Sequence, residues 1–203
     1  MPKLLGITGG FGAGKSTVGE SLKSYGVAVI DADDIVHALL DNCQVVKDAI
    51  VERFGEGLHN ADGSINHKSL AAIVFADPRA RKDLESIVHP AVRDVARKKI
   101  EELATESVVA YLVPLLFESG MEDLFDQIWS VDCSYETCMQ RIMARNKLSK
   151  EEIDRRMQAQ LPQKEKNARA HAIVDNSGTL EQTQTQVAAL LKKLHSPQRA
   201  AEV

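Results

Sequence analysis

No apolar run in this chain of 203 residues approaches the roughly 20 that a helix needs to cross a bilayer. The opening MPKLLGITGG enters a strand-like motif where a signal peptide would carry a long apolar stretch, so the expected compartment is the cytoplasm. Cysteine is scarce. Cys43, Cys133 and Cys138 are odd in number and form no CxxC pair, which argues against a disulfide framework or a zinc site and leaves ordinary buried or half-buried thiols. Excess positive charge is missing too: a net charge of -4 gives no global attraction to DNA or RNA, whose binding rests on Lys and Arg neutralising phosphates. Internal repeats, low-complexity linkers and an exposed heptad seam are also lacking, and a monomer is expected.

What is present suits a folded globular chain. Hydrophobic residues make up 44% and charged residues 27%, far from the signature of disorder, and the length fits one domain over residues 1–203. Short apolar runs at Leu4 to Thr8, Val27 to Ile30, Val108 to Val113, Ile128 to Val131 and Ala172 to Val174 end in glycine, aspartate, proline or asparagine. Such runs separated by helical patterns are what parallel strands look like when crossover helices cover both faces. An α/β fold follows, with a parallel sheet of about five strands covered by helices on both faces.

Helix starts are expected at Asp77 with Pro78, at Ser149 with Glu152 and at Thr179 with Gln182. Tyr135, Cys138, Met139, Ile142 and Met143 form a stripe that core packing explains. Residues 42–103 hold helical patterns and no convincing parallel strand, as a helical substrate-binding insertion would. The tail from Ser196 is expected to fray.

Gly9 to Ser16 spell GxxxxGKS directly after a predicted strand and before a predicted helix. Glycines there let the backbone curl around a β-phosphate with its amides inward, and the helix N-terminus adds partial positive charge. Lys15 reaches the β- and γ-phosphates of such a ligand and the Ser16 hydroxyl ligates Mg²⁺. A dinucleotide fingerprint is excluded, because its third glycine would fall on Lys15. The fold class sharpens to P-loop kinase-like.

A phosphate cradle alone does not separate a kinase from an ATPase or a switch. Asp31, Asp33 and Asp34 close the second strand, where a carboxylate can take the proton of an attacking hydroxyl; Asp34, or whichever residue opens the next helix, is also suited to capping it. The segment from Arg141 to Arg156 offers cations that could close over phosphates. Arg141 and Arg145 are the candidates for that role, whereas Lys147 and Arg155 read as a solvated helix face. NKxD, the guanine-reading motif, fails at Ser149.

With these residues together, the chain closely resembles the dephospho-coenzyme A kinase family over nearly its whole length. The resemblance rests on LLGITGGFGAGKSTV, VIDADDIV at Val29 to Val36, His89 with Pro90, VPLLFESG at Val113 to Gly120 and IVDNSG at Ile173 to Gly178. It implies transfer of the ATP γ-phosphate to the ribose 3′-hydroxyl of dephospho-CoA, with residues 42–103 as acceptor lobe and 141–164 as a helical lid. Asp33 is then the base. Gly10, Phe11, Gly12, Ala13, Gly14, Lys15, Ser16, Thr17, Arg141, Asn176 and Gly178 would bind ATP, and Arg145 would act from the lid. Asp33, His89, Pro90, Leu115, Phe117 and Glu118 would face the acceptor. On residue type alone, Pro90 is a helix-start signal that makes His89 a cap or packing residue, and Glu118 could equally pair with a nearby cation. Phe11, Asn146 and His171 depart from the family pattern, standing where an aliphatic residue, Asp and Asp are usual.

Two rivals stay open at this point. One is a P-loop kinase for a nucleotide, nucleoside or sugar acid; the other is a nucleotide-dependent switch without acceptor chemistry.

Overall fold

The computed structural model describes residues 1–60, 62–146 and 149–195, without the side chains of Arg145 and Asn146. Five strands, β1 (Lys3–Gly9), β2 (Ala28–Asp31), β3 (Val108–Leu112), β4 (Gln127–Asp132) and β5 (Ala172–Asp175), form one sheet in the order β2-β3-β1-β4-β5. The helices are α1 (Lys15–Ser24), α2 (Ala32–Asn42), α3 (Gln44–Phe54), α4 (His67–Ala76), α5 (Pro78–Glu102), α6 (Tyr135–Asn146), α7 (Lys150–Gln158), α8 (Gln163–Arg169) and α9 (Leu180–His195). Every strand lies within a residue or two of its apolar run. The chain divides into two compact units, Met1–Val29 with Glu106–Val203, and Ile30–Thr105.

In the first unit β1 is flanked in parallel by β3 and β4, with Ile7 opposite Leu112 on one side and Trp129 on the other. Alternation along each strand sorts the side chains. Leu5, Ile7, Val108, Ala110, Leu112, Trp129 and Val131 share one core with Val18 and Leu22 of α1 and Val187, Leu191 and Leu194 of α9. The residues between them point to the other face, where Gly6 lies against Leu116 and Phe125 and where α8 packs on β1 and β4. That face also carries Thr8 and Ser130, both fully buried, so its cover must supply hydrogen bonds as well as apolar surface.

In the second unit α5 is the spine, with α2, α3 and α4 against it. Ile35, Leu39, Ile50, Leu70, Val88 and Val92 are among its buried residues. Arg53 Nε donates to Asp83 Oδ2 at 2.9 Å, tying α3 to α5.

The expected caps at Asp77, Ser149 and Thr179 all form, Ser149 and Glu152 as a reciprocal capping box. One local expectation narrows and two need correction. Asp31, not Asp34, caps α2: its carboxylate accepts from Asp33 N at 2.9 Å, which places Asp33 and Asp34 in the exposed first turn. Pro90 starts no helix but lies inside α5. Proline supplies no N–H to the carbonyl four residues back, a local loss that continuous packing along α5 outweighs. In the α6 stripe, Cys138, Met139 and Ile142 are buried, but Tyr135 and Met143 are 47% and 53% exposed, because the stripe is wider than the surface available to cover it.

The α5 cap is directly testable. Asp77 accepts from Arg79 N at 2.8 Å with Pro78 at the first helical position. Asp77→Ala is expected to lower stability by about 1 kcal/mol. The change should appear as a lower urea midpoint with an unchanged slope.

Candidate active site

β1 runs straight into the glycine-rich loop, and the loop into α1. Gly12 and Gly14 take φ of +79° and +92°, a region that side-chain-bearing residues rarely adopt. Gly14 occupies the N-cap of α1 in the left-handed conformation and places no capping side chain over the helix start, where backbone amides and the helix dipole favour an anion. Ala13 is buried, Ser16 is exposed on the first turn, and Thr17 follows half-buried. Lys15 Nζ donates to the carbonyls of Gly9 at 3.0 Å and Gly10 at 3.3 Å, holding an ammonium over the loop.

Phe11 departs from the family pattern, and its surroundings explain how it is accommodated. Its ring packs, as does Met157, against the cluster of Met139, Ile142 and Ile153, and the Arg156 guanidinium lies 5.4 Å from the ring centroid. The larger side chain is thus absorbed between α6 and α7. Gly10, Phe11 and Ala13 also wall a cavity of about 720 Å³ shared with Cys138, Met157 and Gln163.

Arg141, Asn176 and Gly178 come together beside the loop. Arg141 Nη1 donates to Asn176 O at 2.7 Å and Nη2 to Gly178 O at 3.4 Å. Asn176, only 2% exposed, donates from Nδ2 to Ala13 O at 2.8 Å and accepts from Thr183 Oγ1 at 2.9 Å. Its side chain is a strut between the loop and the β5–α9 turn. Nearby, burial first, and then a hydrogen bond with Cys133, push the Cys138 thiol up to about 12, so it remains a neutral packing group.

Leu115, Phe117 and Glu118 occupy a second corner of this unit, after β3. Leu115 is half-buried, and its carbonyl accepts from Ser119 Oγ at 2.6 Å. Phe117 is buried, with the Arg169 guanidinium 4.4 Å from its ring centroid. Glu118 Oε1 accepts from Leu161 N at 2.8 Å and pairs at 2.8 Å with Lys166 Nζ, which also donates to Pro114 O at 2.8 Å. Lys166 is fully buried, and a buried ammonium demands such partners. Asp33, His89 and Pro90 belong to the second unit: Asp33 exposed on α2, His89 half-buried and Pro90 exposed on α5. The Arg145 side chain and Lys147 lie outside the described residues. His171, another departure, accepts from Ile128 N through Nδ1 at 3.0 Å while its own N–H donates to Ile128 O.

Two residues escaped the sequence reading. Gln163 Oε1 accepts from Gly10 N at 2.8 Å, and Lys166 holds the Pro114 to Glu118 turn. The signal available was polar residues at Gln163, Lys166 and Asn167, one helical face of a short segment that must cover a sheet.

A parallel sheet whose central strand feeds a left-handed glycine loop and Lys15 into a helix defines a P-loop nucleotide-phosphate-binding protein. The sequence model of the family described as dephospho-CoA kinase matches residues 3–182. The chain belongs to that family. It is 41% identical over 192 residues to the dephospho-CoA kinase of Geobacter sulfurreducens, covering 94% of this chain and 98% of that one. A solved structure from Thermus thermophilus matches with a TM-score of 0.81 and 34% identity, covering 96% of this chain and 99% of that chain. Dephospho-CoA kinase from Campylobacter jejuni matches with a TM-score of 0.69 and 28% identity, covering 96% and 98%.

Removal of the Asn176 side chain leaves Ala13 O without that donor and Thr183 Oγ1 without that acceptor. Asn176→Ala is expected to cost roughly 1–3 kcal/mol, measured by urea denaturation.

Proposed function

We propose that this protein transfers the γ-phosphate of ATP to the ribose 3′-hydroxyl of dephospho-CoA, giving coenzyme A, and that it does so as a cytoplasmic monomer. The observation that carries the reading is the left-handed Gly14 at the N-terminus of α1, followed by Lys15 and the exposed Ser16, in a chain of the dephospho-CoA kinase family. Amides of the loop through Thr17 receive the β-phosphate, and Lys15 neutralises charge on the β- and γ-phosphates. Arg141 and Asn176 hold the β5–α9 turn, with Gly178 on its surface, against Ala13 as the nucleotide side of the site.

Asp33 is assigned as the base. It stands exposed in the first turn of α2, its backbone N–H fixed by Asp31, with its own carboxylate free of the capping duty. Residues 42–103, with His89 and Pro90, are assigned to the acceptor, and Leu115, Phe117 and Glu118 to the same role from the turn after β3. The buried Phe117 and the paired Glu118 would act mainly by shaping that turn. Residues 141–164 are assigned as the lid, with Arg145 as its phosphate-facing cation.

Among the described residues, no cluster of three or more His, Cys, Asp or Glu is placed to hold a metal. Ser16 Oγ, exposed on the first turn of α1, would be the protein's ligand for Mg²⁺. The cation would supply charge neutralisation between the β- and γ-phosphates.

The test is ADP release with ATP and Mg²⁺, with and without dephospho-CoA, and the product identified by mass. Strict acceptor dependence and a product heavier by one phosphoryl group are expected. Preference for a nucleoside, nucleotide or sugar acid would replace the acceptor assignment, and hydrolysis alone would favour a switch. Asp33→Asn should keep ATP affinity but lower kcat by about 10²–10⁴, since an amide cannot take the hydroxyl proton. Unchanged turnover would remove Asp33 from the base role. Lys15→Ala should lower kcat by roughly 10²–10³, checked in the same assay.

A further inference from the structure

We propose that Gln163 is a positioning residue for the triphosphate, acting through the Gly10 amide at the start of the P-loop. The inference rests on the loop's being the triphosphate cradle. Gly10 N–H is only a donor, so the atom facing it at 2.8 Å must be the amide oxygen of Gln163. The Val131 carbonyl is only an acceptor, so the atom facing it at 3.1 Å must be Nε2. The orientation of the side-chain amide is therefore unique. A single residue joins the loop that follows β1 to the neighbouring strand β4.

The rest of the network holds that amide in place. Gln163 Nε2 also lies 2.9 Å from Ser130 Oγ and 2.8 Å from Asn167 Oδ1. Ser130 is fully buried and donates to Asn167 Oδ1 at 2.7 Å, while Asn167 Nδ2 donates to Asp132 Oδ2 at 2.7 Å. Asp132 in turn accepts from Cys133 N at 2.7 Å. Each member has a partner of the required sense, which is the condition under which a buried polar network fixes one geometry. Leucine at position 163 would offer neither end of the bridge, and glutamate in its charged form would offer no donor to Val131 O.

Gly10 sits two residues before the left-handed turn at Gly12. With its N–H held by Gln163 and its carbonyl accepting from Ala13 N at 3.2 Å, Gly10 sets the loop's first turn before ligand arrives. Preorganised donors of this kind need no rearrangement when charge develops. Gln163 also opens α8, directly after the segment leaving α7, where Leu161 N is held by Glu118. The residue thus ties the P-loop to the exit of the segment assigned as the lid.

The experiment is calorimetric titration of ATP into wild type, Gln163→Leu and Asn167→Ala, with steady-state KM values for ATP and dephospho-CoA and amide exchange at Gly10. For Gln163→Leu, ATP affinity should fall about tenfold, Gly10 exchange should accelerate, and the KM for dephospho-CoA should stay within about twofold. Asn167→Ala removes a brace from Gln163 without touching Gly10, and should shift ATP affinity in the same direction by less. It carries the test alone if Gln163→Leu does not fold. Unchanged ATP affinity in the folded variants would overturn the proposal. So would parallel weakening for both substrates, the mark of general loosening. Failure of wild type to bind ATP would instead remove the cradle reading, and this inference with it.

Discussion

Close approach of other residues to the backbone of the glycine loop is the constraint on which the rest of the first unit depends. A Cβ at Gly12 would stand 2.4 Å from Ile142 Cδ1, and one at Gly14 would stand 2.0 Å from Asn176 Nδ2. A side chain at either position would force Ile142 or Asn176 to shift, and Asn176 could then no longer reach Ala13 O as it does. The glycines therefore do more than permit positive φ: they let α6 and the β5–α9 turn close onto the loop from outside. That contact leaves the loop's inner side to amides and to Lys15, so the same absence of side chains serves packing and anion recognition together.

Closing the loop places a demand on the sheet beneath it. One face is conventionally apolar, with α1 and α9 over Leu5, Ile7 and Val131. The other brings Thr8 and Ser130, both fully buried, to the strand ends next to the loop. Thr8 Oγ1 is met by Pro114 O, but an apolar helix over that face would leave the Ser130 hydroxyl unpaired, at a cost of about 1–3 kcal/mol. Helix α8 answers with Gln163, Lys166 and Asn167 on one side: Gln163 and Asn167 meet Ser130, and Lys166 shares Pro114 O with Thr8. Rigidity near the phosphate cradle thus comes from a satisfied polar layer. Such a layer permits fewer arrangements than interchangeable apolar packing would.

The frame was legible because its signals are local. Apolar runs bounded by breakers marked each strand, and capping at Asp77, Ser149 and Thr179 is written within four residues. The loop itself was legible from spacing alone. Which aspartate caps α2 stayed open because Asp31, Asp33 and Asp34 are equivalent by residue type, and only where the strand ends decides among them. Pro90 misled because a 25-residue helix held along its length tolerates what a short one would not. Gln163 and Lys166 stayed hidden for a different reason. Their residue types predict exposure, whereas Gln163 is half-buried and Lys166 buried against polar groups of the sheet and its loops, which no window along α8 contains.

Arg141 shows how far a residue's type underdetermines its work. As a cation near a P-loop it reads as a phosphate ligand, yet its guanidinium donates to the carbonyls of Asn176 and Gly178. Two carbonyls two residues apart suit a rigid planar fork, whereas a single ammonium on a flexible stem would lose the fixed angle between them. The carbonyls it engages leave its positive charge uncancelled, so the guanidinium braces the turn and still contributes to the local field. Bracing reaches the loop through Asn176 Nδ2 and Ala13 O, the same route by which α9 is joined through Thr183. Gln163 performs the corresponding task at Gly10. The loop is therefore held at Gly10 and at Ala13 by side-chain amides on separate elements, and Ala13 N closes the turn between them onto Gly10 O at 3.2 Å. A turn whose geometry is fixed in this way before ligand arrives is what electrostatic preorganisation requires of a backbone cradle.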